Sequence, residues 1–439
     1  MTTSLHTAPV VVTNDPALHG ADDAGVIRDG GVVIDNGVIV AAGPAPELKS
    51  RFGSIKHRAH SGVMTPGLVN AHTHLQYSAY ADLASSGLPF SPWIAQMVQR
   101  RAVTTDEQWA ESARQGAFLA LRSGTTAAAD IVTDIPALAP IARSGLRGVS
   151  YVEALGADDA QWDADRRGEV DTALSVAMAQ SRTAGISPHS LYTLSRRAFT
   201  EAMRRGRALG LRAHTHLAES ADEVEFVAVG TGLLADMATT IGWSMDAVNC
   251  GGLARSPAVE MDLLEGLGPD VHVAHGVHCD AHDRALLRDR ATAVAICVRS
   301  NKILGAGRPP VADYLAEGSV IGIGTDSLAS SPSLDVLEEA RATRDLARSQ
   351  GYDLPDLNRQ IFHALTLGGA HCLGLDGRTG SAGRATDRIG VLTPQAVGDL
   401  AVFDVPIDGD PFAALIDHGA GECVATVLAG TLVHRRGDS

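Results

Sequence analysis

Residues 65–75 read Thr-Pro-Gly-Leu-Val-Asn-Ala-His-Thr-His-Leu. A short apolar run leads into two histidines two positions apart, and alternate side chains of a strand project to the same side, so His72 and His74 leave the strand end together. Two imidazoles set side by side suggest a metal. Alone, such a pair more often reads as two ordinary histidines, and the decision rests on whether later strands end in further ligands.

Working outward, from about Thr65 to Arg384 short apolar runs alternate with longer helical stretches. Candidate strands are Leu68–Thr73, Thr125–Ile131, Leu146–Ala154, Gly185–Pro188, Leu211–Leu217, Val271–Val277, Ala293–Cys297 and Val320–Thr325. Helical stretches include Thr105–Ser123, with Thr104 and Glu107 at capping-box spacing, and Ser195–Leu209, ended by Gly210 as a left-handed cap. Eight alternating units imply parallel strands closed into a barrel. A doubly wound open sheet is the structural rival, but no Gly-X-Gly-X-X-Gly follows the first strand. The stretch from about Gly230 to Gly268 is long for one connection and is expected to hold an extra helix or a loop over the site.

The flanks differ in character. Val32–Asp35 and Val38–Ala42 bracket Asn36-Gly37, a two-residue hairpin signal. Near the other end, Asp399–Asp404 and Val424–Leu428 read as strands, the latter followed by Leu432–Arg435 across a Gly430-Thr431 turn. The expected fold is therefore α/β: a (β/α)8 TIM-like barrel over residues 65–384, with a small β-sandwich domain assembled from residues 1–64 and 385–439.

Composition narrows the function classes. Hydrophobic residues make up 45% and charged residues 20% of the 439, ordinary for a soluble globular protein. A formal net charge of -15 with no compensating Lys or Arg run argues against nucleic acid as a partner. The five cysteines, Cys250, Cys279, Cys297, Cys372 and Cys423, form no Cys-X-X-Cys pair and read as buried thiols in a reducing compartment. No secretory leader and no long apolar run is evident, so no membrane association is expected and the expected location is the cytoplasm.

In such a barrel, chemistry collects where the strands end. The fifth strand ends in His214-Thr-His216-Leu-Ala-Glu219, the sixth in His272-Val-Ala-His275-Gly276 and the eighth in Gly324-Thr325-Asp326-Ser327. Four strands deliver imidazole or carboxylate to one rim, and nitrogen and oxygen donors without thiolate suit zinc, iron or another borderline divalent ion. The first pair is therefore part of a set.

With these motifs in place, the sequence resembles the amidohydrolase superfamily, in its branch of nucleobase and nucleoside deaminases and related chlorohydrolases. The resemblance runs from the hairpin at Val32 to the last strand at Leu432. It implies that His72, His74, His216 and Asp326 bind one divalent metal ion, zinc first and iron second, and that Glu219 and His275 transfer protons. A metal with mostly neutral ligands lowers the pKa of bound water from about 15.7 towards 7. Asp326 takes a proton in that reading, and Glu219 protonates a ring nitrogen. The competing account of Glu219 is a carboxylate favoured by a helix N-terminus. Pro-Cys-X-X-Cys, the cytidine-deaminase type of zinc motif, is absent.

Other residues keep two readings. His214 shares a strand face with His216 and could be a ligand, although the spacing to Glu219 favours His216 and leaves His214 as a supporting or packed residue. His272 reads as structural, and His278 and His282 as solvated. His189, in Pro188-His189-Ser190-Leu191-Tyr192, resembles the family's substrate-contacting stretch. Gln76 and Trp93 lie in the first loop, where Trp93 forms either a wall for a planar base or part of the core. Glu153 either faces the pocket or is a buried, hydrogen-bonded carboxylate. Ser300-Asn301 resembles a family segment after the seventh strand, but Val298 stands where many relatives carry proline.

The expected activity is hydrolytic deamination of a purine nucleoside, a small-molecule substrate. The stretch Gln76–Trp93 and Pro188–Thr193 look most like aminodeoxyfutalosine deaminases of menaquinone biosynthesis. Adenosine, S-adenosylhomocysteine or methylthioadenosine deamination is the alternative, followed by guanine deamination and triazine dechlorination. A rival from another class is a binding protein that keeps the barrel without its chemistry. A homodimer is expected from similar proteins.

Overall fold

A computed structural model describes residues 3–243, 245–377 and 387–437. The expected domain boundary at 384–385 lies outside the described residues.

Both chain ends build one sheet. Five strands come from the first part: β1 (Ser4–Val12), β2 (Val26–Asp35), β3 (Val38–Pro44), β4 (Lys56–Ala59) and β5 (Val63–Pro66). β5 pairs in parallel with β1 and antiparallel with a strand from the far end of the chain, Leu400–Phe403. The hairpin between β2 and β3 turns on Asn36 and Gly37, both at positive φ (49° and 85°), as the Asn-Gly signal requires.

Between the ends, eight strands form a second sheet in sequence order: β6 (Leu68–Thr73), β7 (Thr125–Val132), β8 (Arg147–Ala154), β9 (Thr183–Pro188), β10 (Arg212–Leu217), β11 (Val271–His275), β12 (Ala293–Ile296) and β13 (Ile321–Ile323). Every neighbouring pair is parallel. The order excludes the open-sheet rival. At the seam, where β13 comes round to β6, the Asp326 amide donates to the His72 carbonyl (3.0 Å). Asn70 bridges the same gap: its Oδ1 accepts from the Thr325 amide (3.1 Å) and its Nδ2 donates to the Thr325 hydroxyl (2.8 Å). A Cβ on Gly324 would stand 2.7 Å from that of His72, so no other residue lets the last strand approach the first so closely.

Three strands complete the terminal sheet: β14 (Leu400–Phe403), β15 (Cys423–Leu428) and β16 (Thr431–Arg435). The last hairpin turns one residue earlier than expected, on Ala429 and Gly430 (φ 46° and 78°), because Thr431 already pairs with Leu428. A second correction concerns the helix Asp106–Arg122, whose capping box is Thr105 with Gln108. Thr104 is unavailable, since its hydroxyl donates to the Arg100 carbonyl and pairs with Tyr80. The helix Arg196–Ala208 starts at Ser195 and is followed by Gly210 at φ 68°, as the sequence indicates.

The long connection after β10 holds four helices, Ala221–Val229, Leu233–Thr240, Asp246–Asn249 and Pro257–Leu263. All five cysteines are unpaired, and all but Cys250 are buried. No helix among the described residues is long and apolar enough to cross a membrane.

Candidate active site

At the C-terminal ends of the barrel strands, β6 brings His72 and His74, β10 His216, β11 His275 and the turn after β13 Asp326. Glu219 joins them from the loop after β10, and all six are buried. Three overlapping sets, His72 with His216 and His275, His72 with His74 and Asp326, and Glu219 with His275 and Asp326, each have donor atoms within 4.8 Å of one another. Nε2 of His72 and of His74 lie 3.5 and 3.7 Å from Asp326 Oδ1, and Nε2 of His275 lies 3.5 Å from Glu219 Oε1.

Hydrogen bonding fixes which nitrogens are free. His216 Nδ1 donates to the His189 carbonyl (3.0 Å), leaving Nε2 as a lone pair 3.3 Å from Nε2 of His74. His214 Nδ1 donates to the His272 carbonyl (2.9 Å), so its Nε2 accepts from His72 Nδ1 (2.8 Å). The Nε2 of His72 is then also a lone pair, buried and without a hydrogen-bond partner, 3.5 Å from Asp326 Oδ1. Buried nitrogens without partners are costly, and lone pairs converging beside a carboxylate match the donor set of a divalent cation. The residues fit such an ion.

Asp326 is held from three sides. Its Oδ2 accepts from the hydroxyls of Ser300 (2.6 Å) and Ser330 (2.7 Å), and its Oδ1 from the Ser327 amide (2.7 Å). Ser300 sits in the helix Val298–Ile303, whose Asn301 donates to His275 Nδ1 (3.0 Å). The Ser-Asn segment singled out in the sequence thus reaches both Asp326 and His275, and Val298 is merely the first residue of that helix. Burial pushes Asp326 up, but the neighbouring His72 and the imidazoles of His74 and His275 outweigh it and keep the carboxyl well below its usual range. Glu219 goes the other way, raised well above the usual carboxylate range by burial, with the charges of Asp326 and Glu223 adding to it. Two neighbouring carboxylates with opposite shifts suit opposite proton roles.

A cavity of about 270 Å³ opens onto these residues, lined by His74, His189, His216, Glu219, His275 and Asp326 on its floor. Trp93, Phe90, Tyr192 and Trp243 make its walls aromatic. Trp93 is half-buried and donates its indole N–H to the Ala329 carbonyl (2.9 Å), so it is a wall residue pinned to the loop after β13. Glu153 also lines the cavity, with Oε2 accepting from Thr133 (2.6 Å) and Oε1 3.8 Å from His189 Nε2. His189 Nδ1 pairs with Thr193 (2.9 Å) and Ser190 (3.0 Å).

Gln76 is not brought to the cavity. Its amide is engaged elsewhere, donating to Asp134 (3.0 Å) and accepting from the Thr133 and Asp134 amides (3.0 and 3.2 Å). It shapes the loop behind Glu153. His272 is buried, stacked on His214 with ring centroids 3.7 Å apart, and donates to the Ala71 carbonyl (3.1 Å). His278 differs from the solvated reading: it is half-buried and donates to the Ala306 carbonyl (2.6 Å).

Sequence reasoning missed Arg101 and Trp243 in the walls and Asn70 at the seam, whereas Tyr192 belongs to the stretch singled out with His189. Asn70 carried a signal, since it shares the strand face of His72. Trp243 carried none beyond its place in the long connection already expected to cover the site.

The chain belongs to the amidohydrolase family, whose profile matches residues 63–433. It is a hydrolase acting on carbon–nitrogen bonds. Among its relatives, the 5-methylthioadenosine/S-adenosylhomocysteine deaminase of Haloarcula marismortui is 30% identical over 358 residues, 79% of this chain and 74% of that protein. The enzyme so named from Pelotomaculum thermopropionicum is 28% identical over 396 residues, 87% and 81% of the two chains. Among solved structures, an adenosine deaminase of Xanthomonas campestris with bound zinc superposes with a TM-score of 0.76 at 25% identity, covering 98% of this chain and 92% of that one. The Helicobacter pylori aminofutalosine deaminase in complex with methylthio-coformycin superposes at 0.81 with 19% identity, over 98% and 100%, and establishes likeness of fold.

Proposed function

We propose that this protein hydrolytically deaminates the adenine ring of a nucleoside carrying an extended substituent, with 6-amino-6-deoxyfutalosine as the leading substrate. The observation that carries the reading is the pairing of Glu219 and Asp326, two buried carboxylates shifted in opposite directions on the floor of an aromatic-walled cavity.

His72, His74, His216 and Asp326 would hold one divalent ion, zinc first and iron second. When bound, such an ion supplies a Lewis acid and lowers the pKa of water towards about 7. The remaining work falls to side chains. Glu219, whose carboxyl burial raises well above its usual range, donates to the ring nitrogen next to the carbon that bears the amine as the water oxygen bonds to that carbon. Asp326 accepts the water proton and passes it to the departing amine, while His275, whose Nδ1 accepts from Asn301 so that its Nε2 carries the hydrogen, orients the attacking oxygen. The carbon–nitrogen bond breaks as the hydroxyl proton of the adduct passes to Glu219, which regains its acid form, giving the oxo purine and ammonia. His189 and Glu153 orient the nucleoside, and Trp93 stacks on its base.

The substituent has a place to go. A second cavity of about 500 Å³ shares Arg101, Glu153, Leu155 and Arg166 with the first. An aromatic chamber leading to Arg101 suits a benzoate-type group. The second reading, methylthioadenosine or S-adenosylhomocysteine, is favoured by the named sequence relatives.

Metal-loaded protein incubated separately with aminodeoxyfutalosine, methylthioadenosine, S-adenosylhomocysteine, adenosine and guanine, with ammonia measured, is the test. The highest kcat/KM is expected with aminodeoxyfutalosine. Faster turnover of S-adenosylhomocysteine would move the assignment to the second reading, and no ammonia from any adenine nucleoside would refute both.

A further inference from the structure

Ser220 and Glu223 stand at capping-box spacing at the start of the helix Ala221–Val229, and the Ser220 hydroxyl accepts from the Glu223 amide (3.2 Å) in the usual way. In a capping box the glutamate would return to the amide of Ser220 itself. Here it reaches further back. Glu223 Oε2 accepts from the Glu219 amide (2.8 Å) and Oε1 from the Ala218 amide (2.9 Å). The carboxylate is fully buried, so both oxygens are committed to the two residues that lead Glu219 into the site.

Ala218 is held at φ 48°, a left-handed conformation in which the Cβ of an L-residue is crowded by the following carbonyl. Its carbonyl accepts from the His278 amide (3.0 Å). The turn is thus tied at one side to the loop after β11 and at the other to Glu223. Its result is that the chain leaves β10 and swings the Glu219 carboxyl to 3.5 Å from Nε2 of His275. Glu223 itself is not among the residues lining the cavity.

We propose that Glu223 is a positioning residue: it clamps the strained Ala218–Glu219 turn and thereby aims the Glu219 carboxyl at the reacting ring. The inference rests on the reading of Glu219 as proton donor. Glu223 lies outside the cavity lining and outside the set of His72, His74, His216 and Asp326, so its removal is expected to affect turnover more than substrate or metal binding. Besides Glu223, the groups facing Glu219 are Asp326, His275 and Tyr192.

The test uses full-length, metal-loaded protein with the best substrate of the panel. Glu223→Gln keeps the shape but turns one acceptor into a donor facing an amide. It is expected to lower kcat by roughly 10- to 100-fold, with KM and metal stoichiometry within about threefold of wild type. Glu223→Asp keeps the charge but withdraws the carboxylate, and is expected to lose as much. Adding Ala218→Gly to Glu223→Gln should restore several-fold of kcat, because glycine adopts positive φ without cost. Wild-type kcat in Glu223→Gln overturns the proposal. So does a Glu223→Asp variant that behaves as wild type, or a double variant, Ala218→Gly with Glu223→Gln, that recovers nothing. Amide hydrogen exchange gives a readout independent of turnover: the Ala218 and Glu219 amides should be protected in wild type and fast in Glu223→Gln. Protection that survives the substitution overturns the clamp, whereas a protein with the expected exchange but no deaminase activity in any form refutes only the reading of Glu219.

Discussion

The floor and the walls of the cavity are built in different ways. On the floor four side chains are fastened by hydrogen bonds: His72 by His214, His216 by the His189 carbonyl, Asp326 by Ser300, Ser330 and the Ser327 amide, His275 by Asn301. The walls rest on fewer ties. Trp93 has a single hydrogen bond to Ala329, and Trp243 sits in the connection after β10. Chemistry tolerates little displacement of reacting groups, whereas recognition of a flat base and its substituent is carried by contact area spread over several residues. A rigid floor with adaptable walls is the arrangement by which one barrel serves several substrates.

The comparison predicts its largest effects on the floor. His74→Ala is expected to lose both bound metal and turnover, by at least about 10³-fold, since removing one neutral ligand opens the site. Glu219→Gln should keep full metal occupancy yet lose about 10²- to 10⁴-fold in kcat, the range for a lost proton donor. Metal analysis beside steady-state kinetics separates the two. Wild-type turnover in Glu219→Gln would remove that residue from the mechanism, and retained metal with normal activity in His74→Ala would break the proposed ligand set.

A wall substitution should behave otherwise. Trp93→Ala is expected to raise KM about 10-fold, the equivalent of roughly 1.4 kcal/mol of lost aromatic contact. Its kcat should stay within about threefold and its metal content should not change. A collapse of Tm together with loss of kcat would instead make Trp93 a core residue, the reading that sequence alone left open.

The same division governs what the sequence made legible. Floor residues stand at strand ends, and strand ends are marked by periodicity: the eight expected strands coincide with β6 to β13 to within about three residues at either end. His72, His74, His216, His275 and Asp326 could therefore be placed on one rim before their contacts were known. For Gln76, the position after His74 fixes the backbone but not the direction of the amide, which Thr133 and Asp134 capture. Arg101 is the last residue of a helix whose sequence, Gln99-Arg100-Arg101, looks like any solvated helix end. Only the path of the loop before it puts one arginine out on Asp82 and the other into the cavity wall. Loop paths depend on contacts distant in sequence, and periodicity carries no information about them.

The last predicted effect, on stability rather than turnover, sharpens the comparison with a second cluster of histidines, outside the barrel. In the terminal sheet His6 is buried, with Nδ1 3.1 Å from Nε2 of His60 and Nε2 3.2 Å from the Ser4 hydroxyl. Burial, with the neighbouring cations of His60 and Arg58, lowers His6 to about 3, much as burial lowers His275 to about 3. A depressed imidazole is therefore no mark of a site by itself; what distinguishes the floor is that its free lone pairs converge. The sign of the consequence follows from proton counting. With a folded pKa of about 3 against 6.5 unfolded, the unfolded chain binds more protons between those values, so the contribution of His6 is complete above pH 6.5 and is lost as pH falls towards 3. The slope approaches roughly 1.4 kcal/mol per pH unit over that window. His6→Gln removes it, so the gap in Tm between wild type and variant should narrow from pH 7.5 to pH 5. A gap that stays constant with pH would mean that His6 is not held neutral by its burial.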